Sequence, residues 1–401
     1  MTGHVILDLS RLLWRAARFA PTGIDRVELA YARHLIAIMP ERLRFSGWWG
    51  RMSLLPQQEA IQFIAALDQV WSGDELDAQA HATIGRLTKT LRRHALWHGE
   101  RSLQAHVRGL SGPVTYLLVS HYRLHRPGPL LRLKRHRHLR FVFLIHDLIP
   151  IHLPGHVPPG HDARHHRRIE TVMRLADHVI ANSSGTAAAL NSILQAARAR
   201  IPVTVAHLGL DLRSTAPVQP VPEVRPYFVC LSTIEPRKNH KLLLRVWRRL
   251  ALLGENAPRL VILGRRGWRS GNILRQVRRT RALRNLVEVH ENLPDRRVAE
   301  YLQGARALLN PSYAEGFGLP VAEALALGVP VLCSDLPELQ EVGGNAPEFL
   351  NPHNDEIWFR AILDYAQARS PRRARQQARM ADWQPVSWEA HFAITLPIIA
   401  G

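Results

Sequence analysis

Short apolar runs recur along the chain, separated by stretches of helical length in which apolar positions return with a helical period. In the first half the runs are HVILDL, VTYLLVS, RFVFLI, HVIAN and PVTVAH, and the helical pattern covers Asp25 to Met39, Asp162 to Leu175 and Ser184 to Ala197. A run that is apolar on both faces and feeds an amphipathic helix predicts a parallel strand in a βα unit, because helices cover both faces of such a sheet. The stretch TAPVQPVPEVRP then interrupts the pattern, since its prolines disfavour both a helix and a central strand. Beyond it the alternation restarts with YFVCLS and a helix from Lys238, RLVILG and a helix from Gly271, LVEVH and a helix near Asp295, RALLN and a helix from Leu319, then PVLC. The expected organisation is α/β, with doubly wound halves at 1–213 and 227–385, a linker at 214–226, and a cleft between the halves. The amphipathic segment from Ser387, within 386–401, predicts a helix that crosses back to the first half. Ligands of open α/β sheets sit beyond the carboxyl ends of the strands, so the chemistry is expected in the loops that follow these runs.

The length of 401 residues fits two cores better than one, and 46% apolar with 21% charged residues describes a folded chain rather than a disordered one. Asp8 and Arg11 break the N-terminal apolar run, which excludes a signal peptide or membrane anchor there. Cys230 and Cys333 both lie in apolar runs, as buried free thiols do in a reducing cytoplasm. The formal charge of +20 changes the picture more. Residues 1–213 hold 28 basic against 15 acidic groups, which points to anionic partners: nucleic acid, lipid head groups or a phosphate-bearing substrate. Only 4 of the 53 basic residues are lysines, so part of the excess reflects composition.

The most informative stretch is NPSYAEGFGLPVAEALALGVPVLCSD, from Asn310 to Asp335. It leaves a predicted strand and opens a helix with Pro320 in the first turn, where proline is favoured. Gly316 and Gly318 allow close approach of the backbone to a ligand. The amides of Gly318 and Leu319, backed by the helix dipole, form an anion site suited to a diphosphate. Glu315 before the helix and Glu323 one turn inside it can each accept paired hydrogen bonds from vicinal hydroxyls, one from a ribose and the other from a hexose. Arg237 and Lys238, adjacent cations at a helix start, suit the two charges of a leaving diphosphate.

EGFGLPVAEA resembles the E-x7-E signature of retaining glycosyltransferases of the family-4 group, and LSTIEPRKNHKLLL resembles the same family's strand, loop and helix that carry a diphosphate-binding lysine. Further similarity runs through PTGIDRVELAYARHL, FLIHDLIP, VIANSSGTAAAL, VAHLGLD, LVILGRRGW and VSWEAHF, so it spans nearly the whole chain. The resemblance implies a GT-B fold, two Rossmann-like domains facing a cleft. It also implies transfer of a hexose, with mannose from a GDP donor as the guess, onto a saccharide or lipid-linked saccharide in bacterial envelope or exopolysaccharide synthesis. Glu315 would touch the donor sugar, Glu323 the ribose, Lys238 the diphosphate and His146 the 6-hydroxyl region. Gly316, Phe317, Gly318 and Leu319 would line the donor site, and Gly23 would lie near the phosphates and acceptor. Many members carry Gly-Arg where this chain has Ser232 and Thr233, which leaves Arg237 as the second diphosphate cation. A front-face mechanism follows, with no metal and no other cofactor.

A sugar phosphorylase or nucleotide-sugar epimerase of the same fold is the nearer alternative. A nucleic-acid partner is not expected, because no reading module and no interleaved stacking aromatics accompany the charge. The histidines at 161, 165 and 166 read as a solvated basic helix face rather than a metal site. The run His121 to Arg140 interleaves cations with Leu130, Leu131, Leu133 and Leu139. It fits equally an arginine-rich surface helix and a segment resting on an anionic membrane, which would make the cytoplasmic protein peripheral to the plasma membrane.

Overall fold

The computed structural model describes residues 3–16, 21–72, 78–211 and 225–401. The expected linker at 214–226 lies outside them up to residue 224. The described residues form two compact units: residues 1–151, 162–209 and 386–401 build the first, and 152–161 with 210–385 the second.

The first unit is a seven-stranded sheet of β1 (His4–Asp8), β2 (Leu43–Trp49), β3 (Arg51–Leu54), β4 (Val114–Leu118), β5 (Leu139–Ile145), β6 (His178–Ala181) and β7 (Val203–Val205). Their order is β3-β2-β1-β4-β5-β6-β7, with every pairing parallel except β2 with β3. That antiparallel pair was not expected from the sequence. Ser46 and Gly47 break the apolar run of β2, and the return into β3 is made at Gly50, whose φ of +69° suits a residue without Cβ.

Helices form where the apolar period foresaw them. Asp25 to Met39 becomes Gly23–Ile38, started by a capping box in which Thr22 accepts from the Asp25 amide and Asp25 from the Thr22 amide. The other two become His161–Leu175 and Ser184–Ala196. The C-terminal helix Trp388–Ala400 packs within the first unit, where His391 Nε2 meets the Tyr31 hydroxyl at 2.7 Å and Phe392 stacks on His34 at 3.6 Å.

The structure refines one reading in this unit and corrects another. Only Gly128–Leu133 of the 121–140 run is helical, and Leu130, Leu133 and Leu139 are buried in the sheet core with Phe141 and Phe143. Those leucines face the core while Arg132, Arg135 and Arg137 are exposed, so the run shows its cations to solvent and keeps its leucines inside. In the 161–175 helix His165 is buried, at 1% exposure, so the face carrying it is not solvated.

The second unit is a wholly parallel sheet of β8 (Tyr227–Leu231), β9 (Arg259–Leu263), β10 (Val287–His290), β11 (Leu308–Asn310), β12 (Val331–Ser334) and β13 (Glu348–Leu350), ordered β10-β9-β8-β11-β12-β13. Alternate residues of one strand enter different cores: Phe228 and Cys230 join Trp247 and Trp358, whereas Tyr227 and Val229 join Val321 and Leu325. A strand covered by helices on both sides must be apolar at every position, which is why YFVCL and RLVIL read as unbroken runs. Both cysteines are free and buried.

Candidate functional site

The site-bearing loops of the second unit follow β8 and β11, neighbouring strands that pair in parallel, so their carboxyl ends lie side by side. After β8 the chain does not enter an α-helix at Lys238 as expected. Pro236–Lys238 form a short 3-10 turn, Asn239 takes a left-handed φ of +53°, and the α-helix begins at His240. This turn directs Lys238 into the protein, where it is 8% exposed. After β11 the Asn310 to Gly318 loop brings Glu315 to it. Lys238 Nζ donates to both Glu315 carboxylate oxygens, at 2.6 and 2.8 Å, and Arg237 Nη1 donates to Oε2 at 3.2 Å.

The two loops are also laced through backbone groups. The Tyr313 amide donates to the Arg237 carbonyl at 2.9 Å, and Arg237 Nη1 to the Ala314 carbonyl at 2.7 Å. Glu235, which the sequence reading passed over, accepts from Arg237 Nε and Nη2 at 3.1 and 2.8 Å. Two cations and two carboxylates therefore balance here, and the cluster carries no bare excess charge. Its only advance signal was a carboxylate two residues before the cations in EPRK.

The electrostatics follow the geometry. Burial pushes the Glu315 carboxyl up, but Lys238 and Arg237 outweigh it and hold the group at about 2, so it stays ionised. Burial, with repulsion from Arg237, pulls the Lys238 ammonium down, and Glu315 offsets this in part. His240, buried beneath the turn with Nε2 3.3 Å from the Ser232 hydroxyl, is pushed to about 4 by burial and by Lys238, and so is neutral.

The helix Leu319–Ala326 starts beyond this loop, and Pro320 occupies its first turn. Gly318 has φ +104°, and a Cβ there would stand 2.5 Å from Leu339 Cδ2. Gly318→Ala is therefore expected to cost about 2 kcal/mol from the left-handed backbone alone; urea unfolding checks this. Phe317 is buried, Gly316 and Leu319 half-buried, and Glu323 half-buried one turn inside the helix.

Two predicted residues belong to the first unit. His146 follows β5 directly and is buried; its Nε2 lies 2.7 Å from the Val119 carbonyl oxygen, which can only accept, so Nε2 carries the proton. Burial pushes this ring to about 4, with the carbonyl opposing, so it is neutral and Nδ1 keeps its lone pair. Gly23 is exposed and is the first residue of the Gly23–Ile38 helix rather than part of a loop after β1, because the six-residue helix Ser10–Arg15 intervenes. Among the described residues no three His, Cys, Asp or Glu side chains are grouped to hold a metal, and no helix is long and apolar enough to cross a membrane.

Two mononucleotide-type sheets, one with a cationic turn set against the start of a helix after β11, define the GT-B class of glycosyltransferases. Residues 214–380 match the family described as Glycosyl transferases group 1. It is 26% identical to the O-antigen chain mannosyltransferase B of Escherichia coli over 397 residues, 93% of this chain and 94% of the relative. It is also 26% identical over 275 residues to the serotype-specific mannosyltransferase WbdA of Escherichia coli, covering 64% of this chain but only 34% of that protein, so it spans about a third of WbdA. The Anabaena protein Alr3699/HepE, whose crystal structure contains UDP, shares the fold with a TM-score of 0.62 at 14% identity over 99% of both chains.

Proposed function

We propose that the chain transfers a hexose, mannose by its relatives, from a nucleotide diphosphate donor to a saccharide or lipid-linked saccharide acceptor, with retention of anomeric configuration and without a metal. The observation that carries this reading is the buried contact of Lys238 and Arg237 with Glu315 just before the helix from Leu319. Such a cluster is kept ionised by its own partners and can exchange them for ligand groups. The donor's diphosphate takes the cations and the amides at Gly318 and Leu319, while its sugar hydroxyls take the carboxylate oxygens of Glu315. Glu323 receives the ribose hydroxyls.

In the transfer step the bond from the anomeric carbon to the diphosphate oxygen breaks, and a bond to the acceptor oxygen forms on the same face. The acceptor hydroxyl proton passes to a diphosphate oxygen. Lys238 and Arg237 stabilise the charge that grows on the leaving group, which is where preorganised cations contribute most. His146 has its Nε2 proton committed to Val119, so its part is to accept a hydroxyl hydrogen of the sugar at Nδ1, orienting the ring and not acting as an acid. The reaction belongs to bacterial polysaccharide assembly, on the cytoplasmic side of the envelope. With the leucines of 121–140 in the core, any hold on anionic lipid through that run is electrostatic alone and screened by salt.

The test is a donor panel including GDP-mannose, UDP-glucose and UDP-N-acetylglucosamine, with nucleotide diphosphate release followed with and without acceptor saccharide. Acceptor-dependent release from GDP-mannose is expected; release driven by inorganic phosphate, or conversion of donor to another nucleotide sugar, would replace the transferase reading by a phosphorylase or an epimerase.

A further inference from the structure

In the first unit the carboxyl ends of β4 and β5 carry a group of cations with almost no counter-charge. The loop after β4 supplies His121, His125 and Arg126, the residues after β5 supply His146 and Asp147, and the 161–175 helix supplies Arg164, His165, Arg167 and Arg168. Among the described residues none of Arg126, Arg164, Arg167 and Arg168 forms an ion pair with a carboxylate; Asp147 is the one acid whose field reaches Arg168.

The group is nevertheless built. The His146 amide donates to His121 Nε2 at 3.2 Å, and His165 Nε2 donates to the Asp147 carbonyl at 3.1 Å. That fixes the His165 tautomer, leaving Nδ1 to accept from Arg168 Nη1 at 3.3 Å. The ring of His121 stands edge-on to those of His146 and His165, with centroids 5.5 and 5.1 Å apart. A guanidinium is thus oriented by a neutral imidazole where a carboxylate would ordinarily do so. Arg168 Nε and His125 Nδ1 are both buried with no hydrogen-bond partner among the described residues. Burial, then Arg168, Arg164, Arg126 and Arg167, pushes His125 down to about 4, a measure of how closely these guanidiniums gather. Unsatisfied buried polar groups amid like charges are costly, and a site keeps them where a ligand supplies both partners and countercharge.

We propose that Arg164, Arg168 and His125 form a phosphate-binding site in the first unit that receives the phosphate or diphosphate of an anionic acceptor. The acceptor assignment rests on the transferase reading; the anion site itself does not. A tetrahedral phosphate offers several oxygens to the guanidinium forks of Arg164 and Arg168, and a further one to the His125 N–H.

The test titrates inorganic pyrophosphate into the full chain saturated with GDP, so that the donor site of the second unit is filled. Wild type binds. Arg168→Gln weakens binding by roughly tenfold or more, and Arg164→Ala, at an exposed position where folding is not at risk, by roughly threefold or more. Acceptor kinetics then separate the sources: with a lipid diphosphate-linked saccharide in detergent the KM rises by the same factors in the variants, while with the same saccharide lacking phosphate it does not move. Wild type that ignores pyrophosphate, or variants that bind it equally, overturns the site. Pyrophosphate binding without any shift in acceptor KM overturns the acceptor assignment and leaves a free phosphate as the ligand. Failure of the transferase reading shows separately, as absence of acceptor-dependent nucleotide release, because the titration needs no turnover.

Discussion

Lys238→Ala is expected to lower turnover by roughly 100- to 1,000-fold, the loss that follows removal of one preorganised group facing charge that develops in a transition state. The structure adds a second effect that a solvent-exposed lysine would not show. Lys238 Nζ supplies the two shortest contacts to Glu315, so its removal leaves a buried carboxylate with Arg237 as its remaining cation. Breaking a buried pair from one side typically costs about 3 kcal/mol or more. Rate and stability are separated by the double variant Lys238→Ala with Glu315→Gln, which removes the stranded charge. Unfolding stability should recover towards wild type while turnover stays low. If the single variant transfers sugar at the wild-type rate, Lys238 has no part in leaving-group stabilisation.

The second large effect lies in the pH dependence of stability. Glu315 is held at about 2, against an ordinary value of 4.5. The folded protein therefore takes up its proton later than the unfolded chain. The stabilisation is fully present above the unfolded value of 4.5 and is lost as pH falls from there through 2. A displacement of this size corresponds to about 3 kcal/mol. Glu315→Gln lacks the carboxylate and cannot show this dependence. Wild type should exceed the variant in urea-unfolding free energy by a few kcal/mol at pH 7, as expected for a buried ion pair cut on one side, and the gap should narrow steeply by pH 3. A gap of equal size at both pH values would mean that Lys238 and Arg237 do not hold Glu315 ionised. The same variant should lose most transfer activity at pH 7, since an amide cannot balance two adjacent cations.

The parallel strands of the second unit were legible because burial on both faces demands unbroken apolar runs, and YFVCL and RLVIL have them. The first unit was less legible. Its β2 and β3 carry Ser46, Gly47 and Arg51, and their pairing depends on a hairpin at Gly50 rather than on a run of apolar residues. The 121–140 run left two readings open for a related reason: the spacing of its leucines says that they share a surface, not whether that surface meets solvent or the core.

The sequence by itself determined the βα alternation, both cysteines as buried thiols, and the neighbourhood of Glu315, Gly318, Lys238 and Arg237, because strand runs, helix starts and left-handed glycines are local demands written in adjacent residues. Only the tertiary structure decided who partners whom. Lys238 and Glu315 are 77 positions apart and meet because β8 and β11 are neighbours in one sheet. Likewise the 121–125 loop and Arg168 come together only through the order of β4 and β5 and the helix packed beside them. Charge in a sequence is a sum, whereas its chemical effect depends on separation and burial, and those are properties of the fold.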